Sequence, residues 1–150
     1  MRKLAIILFF VALCNFIFAQ KWETTELPST LKYNLEKKYK NATIEKWKKT
    51  NAGVYLVRFK DQNGVSKASE YSEKSKWIKT TSFLNETDVP KQIPASVKEL
   101  YPKAITVEYQ LLESAEEGSY YIVEVITEGT SYELSYSSDG KLLSTNENED

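Results

Sequence analysis

The sequence predicts an α+β fold made of two tandem helix-plus-β-meander repeats, with an antiparallel sheet and the helices packed on one face. The first indication is a duplication, because residues 89–109 match residues 27–47 at a constant offset of 62 positions. The second is that each copy opens with apolar residues at helical spacing. The third is that later runs alternate apolar and polar residues with a period of two, as strands with one buried face do. The repeats are expected to span residues 27–85 and 89–145.

The first nineteen residues are typical of a secretion signal. Two basic residues precede an apolar run from Leu4 to Leu13, and Ala19 supplies a small residue at its end. Cleavage after Ala19 would leave a mature domain of residues 20–150 in an exported protein, periplasmic or extracellular, with no stable membrane insertion. Two alternatives stay open, an uncleaved membrane anchor and lipidation at Cys14, although the bulky Leu13 fits a lipidation box poorly.

Composition removes the usual chemistry of catalysis. The chain has no His, and its single Cys is Cys14 inside the predicted signal. The mature protein therefore lacks the common general base at neutral pH, thiolate nucleophiles, disulfides and Cys-based zinc sites. We predict a protein that is not an enzyme and that has no catalytic residues, no bound metal and no cofactor.

Each repeat begins with a predicted helix. In the first repeat, four apolar residues at four-residue spacing, starting at Leu27, predict a helix over Ser29–Tyr39. In the second repeat, Pro94 has no counterpart and would remove a helix hydrogen bond. The second helix is therefore expected to start near Pro94 and to be a turn shorter.

Strands separated by turn sequences follow each helix. The predicted strands are residues 42–49, 54–60, 66–72, 76–81, a run ending near Tyr109, 119–127, a run through 132–136, and 141–144. Asp61–Gly64 is predicted to be a hairpin turn, since a calcium loop would need further oxygen ligands. Glu113–Gly118 is predicted to be a longer polar loop. Residues 145–150 contain no apolar residue and are expected to form a disordered C-terminal tail.

Several motifs resemble the secreted PepSY-like family, also described as β-lactamase-inhibitor-like. The matching residues are Pro90, Tyr101, Pro102, Ala104, Tyr121, Tyr136, Asp139, Gly140 and Lys141. The first repeat departs from the pattern, with Lys40 in place of the Pro and Glu73–Ser75 in place of the Asp-Gly turn. The resemblance implies an extracytoplasmic protein with helices on one face of an antiparallel sheet. Known inhibitors of that architecture use the uncovered sheet face and hairpin tips against an enzyme.

Alternation along two predicted strands gives a candidate partner-binding face. If the helices cover the side that carries Val57 and Val123, residues of the other phase lie on the uncovered side. These residues are Leu56, Arg58, Tyr120, Ile122, Glu124 and Ile126. An apolar patch rimmed by Arg and Glu is how a protein-binding surface usually looks. The alternative is that loops or a dimer mate cover it.

Two further groups of residues are interpreted as structural. Aromatic residues in alternation are predicted to be core residues, and not a carbohydrate groove. They are Trp47, Tyr55, Phe59, Tyr121, Tyr132 and Tyr136. The acidic run with Glu113, Glu116 and Glu117 is predicted to be a solvated loop, because nothing fixes its carboxylates around a cation.

Charge divides along the chain. Residues 27–85 carry 13 Lys and Arg against 5 Asp and Glu, whereas residues 86–150 carry 4 against 14. The division predicts either two solvated surfaces that help the repeats sit side by side, or a polarised molecule that steers a charged partner. Nucleic acid is not expected, because the exported chain is mildly acidic overall.

The predicted function is a secreted non-enzymatic binding module, protein-binding or inhibitor-like, that acts on an unidentified protein partner through the open sheet face. The alternative is a structural, envelope-associated interaction protein, and a carboxylate-based enzyme ranks third.

Export makes a prediction that intact mass spectrometry can check. Protein purified from the exported fraction should begin at Gln20, because Ala19 provides the small residue that precedes a cleavage site. A mass that begins at Cys14 and includes acyl chains would contradict this and would identify a lipoprotein.

Overall fold

A computed structural model describes residues 21–148 of the chain. The predicted signal at residues 1–19, with its cleavage site and Cys14, lies outside the described residues. Within the described range, no helix is long and apolar enough to cross a membrane.

The elements follow one another in a simple order. They are α1 (Ser29–Lys38), β1 (Thr43–Lys49), β2 (Tyr55–Lys60), β3 (Ser66–Tyr71), β4 (Trp77–Leu84), a 3₁₀ turn (Glu86–Asp88), α2 (Gln92–Leu100), β5 (Thr106–Ser114), β6 (Gly118–Thr127), β7 (Thr130–Ser137) and β8 (Leu142–Asn148). The strands form one eight-stranded sheet in the order β1 to β8, and every adjacent pair is antiparallel. The predicted α+β class with an antiparallel sheet is confirmed.

Helix α1 forms where the sequence places it. Pro28 precedes its first residue, and the apolar stripe buries Leu31 and Leu35 completely. At the other end the Tyr39 N–H donates to the Leu35 carbonyl oxygen at 2.7 Å. Asn41 then adopts φ 57°, which Asn tolerates, and turns the chain into β1.

Both helices bury the same face of the sheet. Around α1, Leu31 and Leu35 pack with Val57, Phe59 and Tyr71. Around α2, the buried residues are Val89, Ile93, Val97, Tyr109, Val123, Val125, Leu134 and Tyr136. The six aromatics predicted to be core are either members of these two clusters or packed against them. Their interpretation as core residues is confirmed.

The first cluster contains a buried polar centre. The Thr80 Oγ1 atom accepts hydrogen bonds from the Tyr39 hydroxyl at 2.7 Å and from Trp77 Nε1 at 2.8 Å, and it lies 2.6 Å from Ser69 Oγ. Burial raises the pKa of Tyr39 to about 12. Close by, the buried Tyr71 hydroxyl has no partner among the described residues. This half of the core is therefore held by directional bonds as well as by apolar contact.

The expected length of α2 and the expected loop between β5 and β6 were wrong. Helix α2 begins at Gln92, near Pro94 as expected, and a proline in the first turn loses no helix hydrogen bond. It has nine residues against ten in α1, so it is not a full turn shorter. Strand β5 extends to Ser114, and strand β6 begins at Gly118. A tight turn therefore connects them where a longer loop was expected.

The predicted disordered tail also requires a correction. Residues 145–148 continue β8, and Leu134 of β7 pairs with Thr145. A strand needs ladder hydrogen bonds but not apolar side chains, so the polar composition of this segment did not exclude pairing. Residues 149–150 lie outside the described range.

The two faces of β6 should respond differently to the same substitution. Val123→Asp should unfold the protein or cost more than about 4 kcal/mol, because Val123 is completely buried and the new charge would have no partner. Ile122→Asp should cost about 1 kcal/mol, because Ile122 is half-buried on the other face. Urea denaturation followed by circular dichroism measures both values. Equal destabilisation by the two variants would contradict this assignment of faces.

Candidate partner-binding face

The sheet face opposite the helices, here called the open face, holds all six residues of the predicted site. Val57 in β2 and Val123 in β6 point into the core, so their strand neighbours point the other way. Leu56 and Arg58 lie in β2, and Tyr120, Ile122, Glu124 and Ile126 lie in β6. These six positions are half-buried or exposed.

The structure does not bring the six residues together as one patch. Strands β2 and β6 are separated by β3, β4 and β5. Four interstrand spacings place Arg58 roughly 19 Å from Tyr120, which lies in the same cross-strand row, and the other β6 residues are further away. The predicted site is therefore two regions near opposite sides of one face.

An apolar band lies between these regions. Leu112 in β5 pairs directly with Tyr120 in β6 and with Thr81 in β4. Phe83, which is 42% exposed, and Ile122 flank Gln110 in the next cross-strand row. Burial raises the pKa of the Tyr120 hydroxyl, and the Glu117 carboxylate adds to the effect.

Sequence reasoning missed Phe83 and Leu112. The two strands were predicted to end before these residues, so neither was assigned to a face. The apolar pairs Phe83-Leu84 and Leu111-Leu112 were the available signal, because one member of each pair must lie on each face of a strand.

The basic end of the open face is formed by Trp22, Lys46, Lys48 and Arg58. The Nζ atoms of Lys46 and Lys48 lie 5.1 and 4.9 Å from the Trp22 ring centroid, and Arg58 Cζ lies 5.2 Å from it. Each cation is within the range of a cation–π contact. Three cations therefore share one indole ring.

Backbone pairing holds Trp22 in this position. Glu23 bridges to Trp47 at the outer edge of β1, with N–H···O distances of 2.6 and 2.9 Å. Trp47 Nε1 donates to the Thr25 carbonyl oxygen at 3.0 Å. Since Trp47 points into the core, the residue next to Glu23 points to the open face. No sequence pattern assigned Trp22 to an element.

The acidic row of the open face is formed by Glu108, Glu124 and Glu133. Glu124 in β6 pairs directly with Glu108 in β5 and with Glu133 in β7. Directly opposed residues have Cβ atoms about 5 Å apart, and like charges at that separation repel. Only Glu124 belonged to the predicted site, because the other two were not assigned to a face from sequence.

The other candidate sites are turns. Asp61 Oδ1 accepts from the backbone N–H groups of Asn63 and Val65 at 2.9 and 3.0 Å, as a hairpin turn requires. The backbone N–H groups of Glu116 and Glu117 donate to Ser114 Oγ at 3.2 and 3.3 Å. Among residues 21–148, no three acidic side chains are grouped so as to hold a metal ion.

Solved structures share this fold. A BLIP-like (β-lactamase-inhibitor-protein-like) protein from Bacteroides fragilis matches with a TM-score of 0.70 and 26% identity, over 85% of this chain and 93% of that chain. A DUF2874 family protein from Bacteroides uniformis matches with a TM-score of 0.67 and 17% identity, over 81% and 90%. A Bacteroides eggerthii protein, provisionally described as periplasmic, matches with a TM-score of 0.68 and 16% identity, over 82% and 90%.

No family model matches the sequence, and no curated protein matches it. The likeness to the BLIP-like protein nevertheless confirms the resemblance to inhibitor-like proteins that the second-repeat motifs indicated. The matches below 25% identity carry the fold alone.

The basic end predicts unequal quenching of Trp22 fluorescence. The Trp22 emission, taken as the difference between wild type and Trp22→Phe, should be quenched several-fold more efficiently by iodide than by caesium at low ionic strength. The reason is that three adjacent cations concentrate an anion and repel a cation. Sodium chloride at about 0.5 M should remove most of the difference by screening. Equal quenching at low salt would contradict the arrangement.

Proposed function

We propose that this protein is an exported, non-enzymatic module that binds a protein partner through the open face. The observation that carries the proposal is an apolar band between a basic end and an acidic row, on the sheet face opposite both helices. Protein-binding surfaces combine an apolar centre with a polar rim in this way. The rigid sheet holds the arrangement without the ordering cost of a loop.

Export is supported by the signal-like first nineteen residues and by a fold shared with the Bacteroides eggerthii protein that is provisionally described as periplasmic. A non-enzymatic role is supported by the lack of His and of any Cys beyond Cys14, because the usual bases and nucleophiles are then missing. The BLIP-like neighbour supports an inhibitor-like manner of binding. Fold likeness alone does not name a target.

We further infer that the chain is a tandem duplication with repeats at residues 27–85 and 89–145. The inference is supported by the constant offset of 62 between the two helix segments. It is also supported by the element order, in which α1 precedes β1–β4 and α2 precedes β5–β8. A duplicated unit explains how one small motif gives a sheet wide enough to serve as a binding surface.

Partner capture tests the proposed function. Immobilised wild-type protein should retain a partner from the native envelope fraction, and Ile122→Asp should lose that partner because a charge enters the apolar band. Tyr33→Asp is the matched control, since Tyr33 is 64% exposed on α1, on the other side of the molecule. The control should bind like wild type. Equal retention by folded Ile122→Asp would overturn the assignment of the open face as the binding surface.

A further inference from the structure

The basic end of the open face has a surplus of charge. Elsewhere on this face a cation is paired, since Lys79 Nζ lies 3.2 Å from Glu70 Oε1. Among the described residues, Lys46, Lys48 and Arg58 have no carboxylate within ion-pair distance. Within the described part of the chain, their positive charges contact the Trp22 ring.

The acidic row has the opposite surplus. Three carboxylates occupy neighbouring strands, and none of Glu108, Glu124 and Glu133 has a cation within ion-pair distance among residues 21–148. Cross-strand repulsion within the row opposes folding instead of supporting it. Each surplus therefore favours a counter-charge from outside the chain.

The two surpluses cannot neutralise each other within one molecule. Arg58 in β2 lies four strands from β6 and is level with Tyr120, and Glu124 is four residues further along β6, so the two charges are roughly 23 Å apart. The Debye length at physiological ionic strength is about 8 Å, so their attraction across the sheet is screened. A partner neutralises both regions at once only if its surface places acidic residues opposite the basic end and basic residues opposite the acidic row.

We infer that a second copy of this chain supplies that surface, in a face-to-face two-fold dimer of open faces. This inference rests on the proposed function, because it names the occupant of the same face. The two-fold axis lies in the plane of the interface and crosses, at a right angle and at its midpoint, the line between the basic end and the acidic row. Rotation about this axis brings each basic end onto the partner copy's acidic row. The contact is isologous, so both pairings form at once.

The centre of the face suits self-contact. The axis passes near β3 and β4, where Ala68, Thr81 and Phe83 carry no charge and the charges of Glu70 and Lys79 are paired with each other at 3.2 Å. Leu112 and Tyr120 extend the apolar surface on one side. Hydrophobic contact in the middle with ion pairs at both sides is the usual anatomy of an interface.

The area of the open face sets the largest contact that two copies can make. Seven interstrand spacings give a width of about 34 Å, and strands of about seven residues give a height of about 23 Å. The product is on the order of 800 Å² per copy, which matches the area that each partner buries in a standard protein interface. A smaller contact area would confine association to high protein concentration.

Sedimentation velocity of charge-swapped variants tests the inference. Lys46→Glu with Arg58→Glu makes both ends of the open face acidic, and Glu124→Lys with Glu133→Lys makes both ends basic. Wild-type mature protein should dimerise at 50 mM NaCl, with a Kd that rises at least tenfold at 500 mM NaCl. Each variant alone should be monomeric, and an equimolar mixture of the two should form a heterodimer.

The matched control carries the same change of charge on the helix side of the molecule. Lys37→Glu with Lys40→Glu alters two exposed residues at the end of α1 and should leave the dimer Kd within about twofold of wild type. Circular dichroism of every variant checks that it is folded, and a wild-type spectrum for a variant that has lost the dimer shows that the loss is not caused by unfolding.

Three outcomes would overturn the inference: a wild-type protein that stays monomeric at 50 mM NaCl, charge-swapped variants that dimerise alone, or a mixture that stays monomeric. A monomeric protein that still captures an envelope partner, and loses it with Ile122→Asp, would overturn the dimer and leave the proposed function standing. If the protein dimerises but captures no other protein from the envelope fraction, the second copy is the occupant of the open face. That result would overturn the proposal that a different protein is the partner.

Discussion

The burial of one sheet face beneath two helices is the constraint on which the rest of this structure depends. Leu31 and Leu35 of α1 and Ile93 and Val97 of α2 are almost fully removed from water. Because side chains alternate along a strand, this burial fixes the direction of every strand residue. A slip of one residue in β6 would exchange Val123 for Ile122 in the core. The open face is thus defined by what the helices cover on the other side.

The same constraint explains why charge can accumulate on the open face. Residues on that face are not required for packing, so repulsion in the acidic row costs only a modest part of the stability that the core provides. The sheet also keeps the row and the basic end at a fixed separation, which a loop would not do. A rigid surface with separated charges discriminates between partners chiefly by the order of those charges.

The two halves of the core differ in how they are held. The α2 cluster is formed largely of aliphatic and Tyr side chains, whereas the α1 cluster surrounds the Thr80 hydroxyl and its hydrogen-bond partners. Substitution in the α1 half therefore risks leaving a buried polar atom unpaired, which costs more than an equal change in apolar contact. The overall fold that holds both halves is shared with the Bacteroides proteins.

The sequence by itself determined the helices, most strands and the two faces, because these follow from local periodicity. Leu27 and the apolar residues after it predicted α1, and the alternation around Val123 predicted the core and open sides of β6. Only the tertiary structure decided which residues meet across strands. Glu108, Glu124 and Glu133 lie on three consecutive strands and align only through the register of two hairpins. Trp22 reaches its three cations because Glu23 pairs with β1. Register depends on turn lengths and on bulges such as the one between Ile44 and Lys46, and these long-range pairings leave no periodic trace in the sequence.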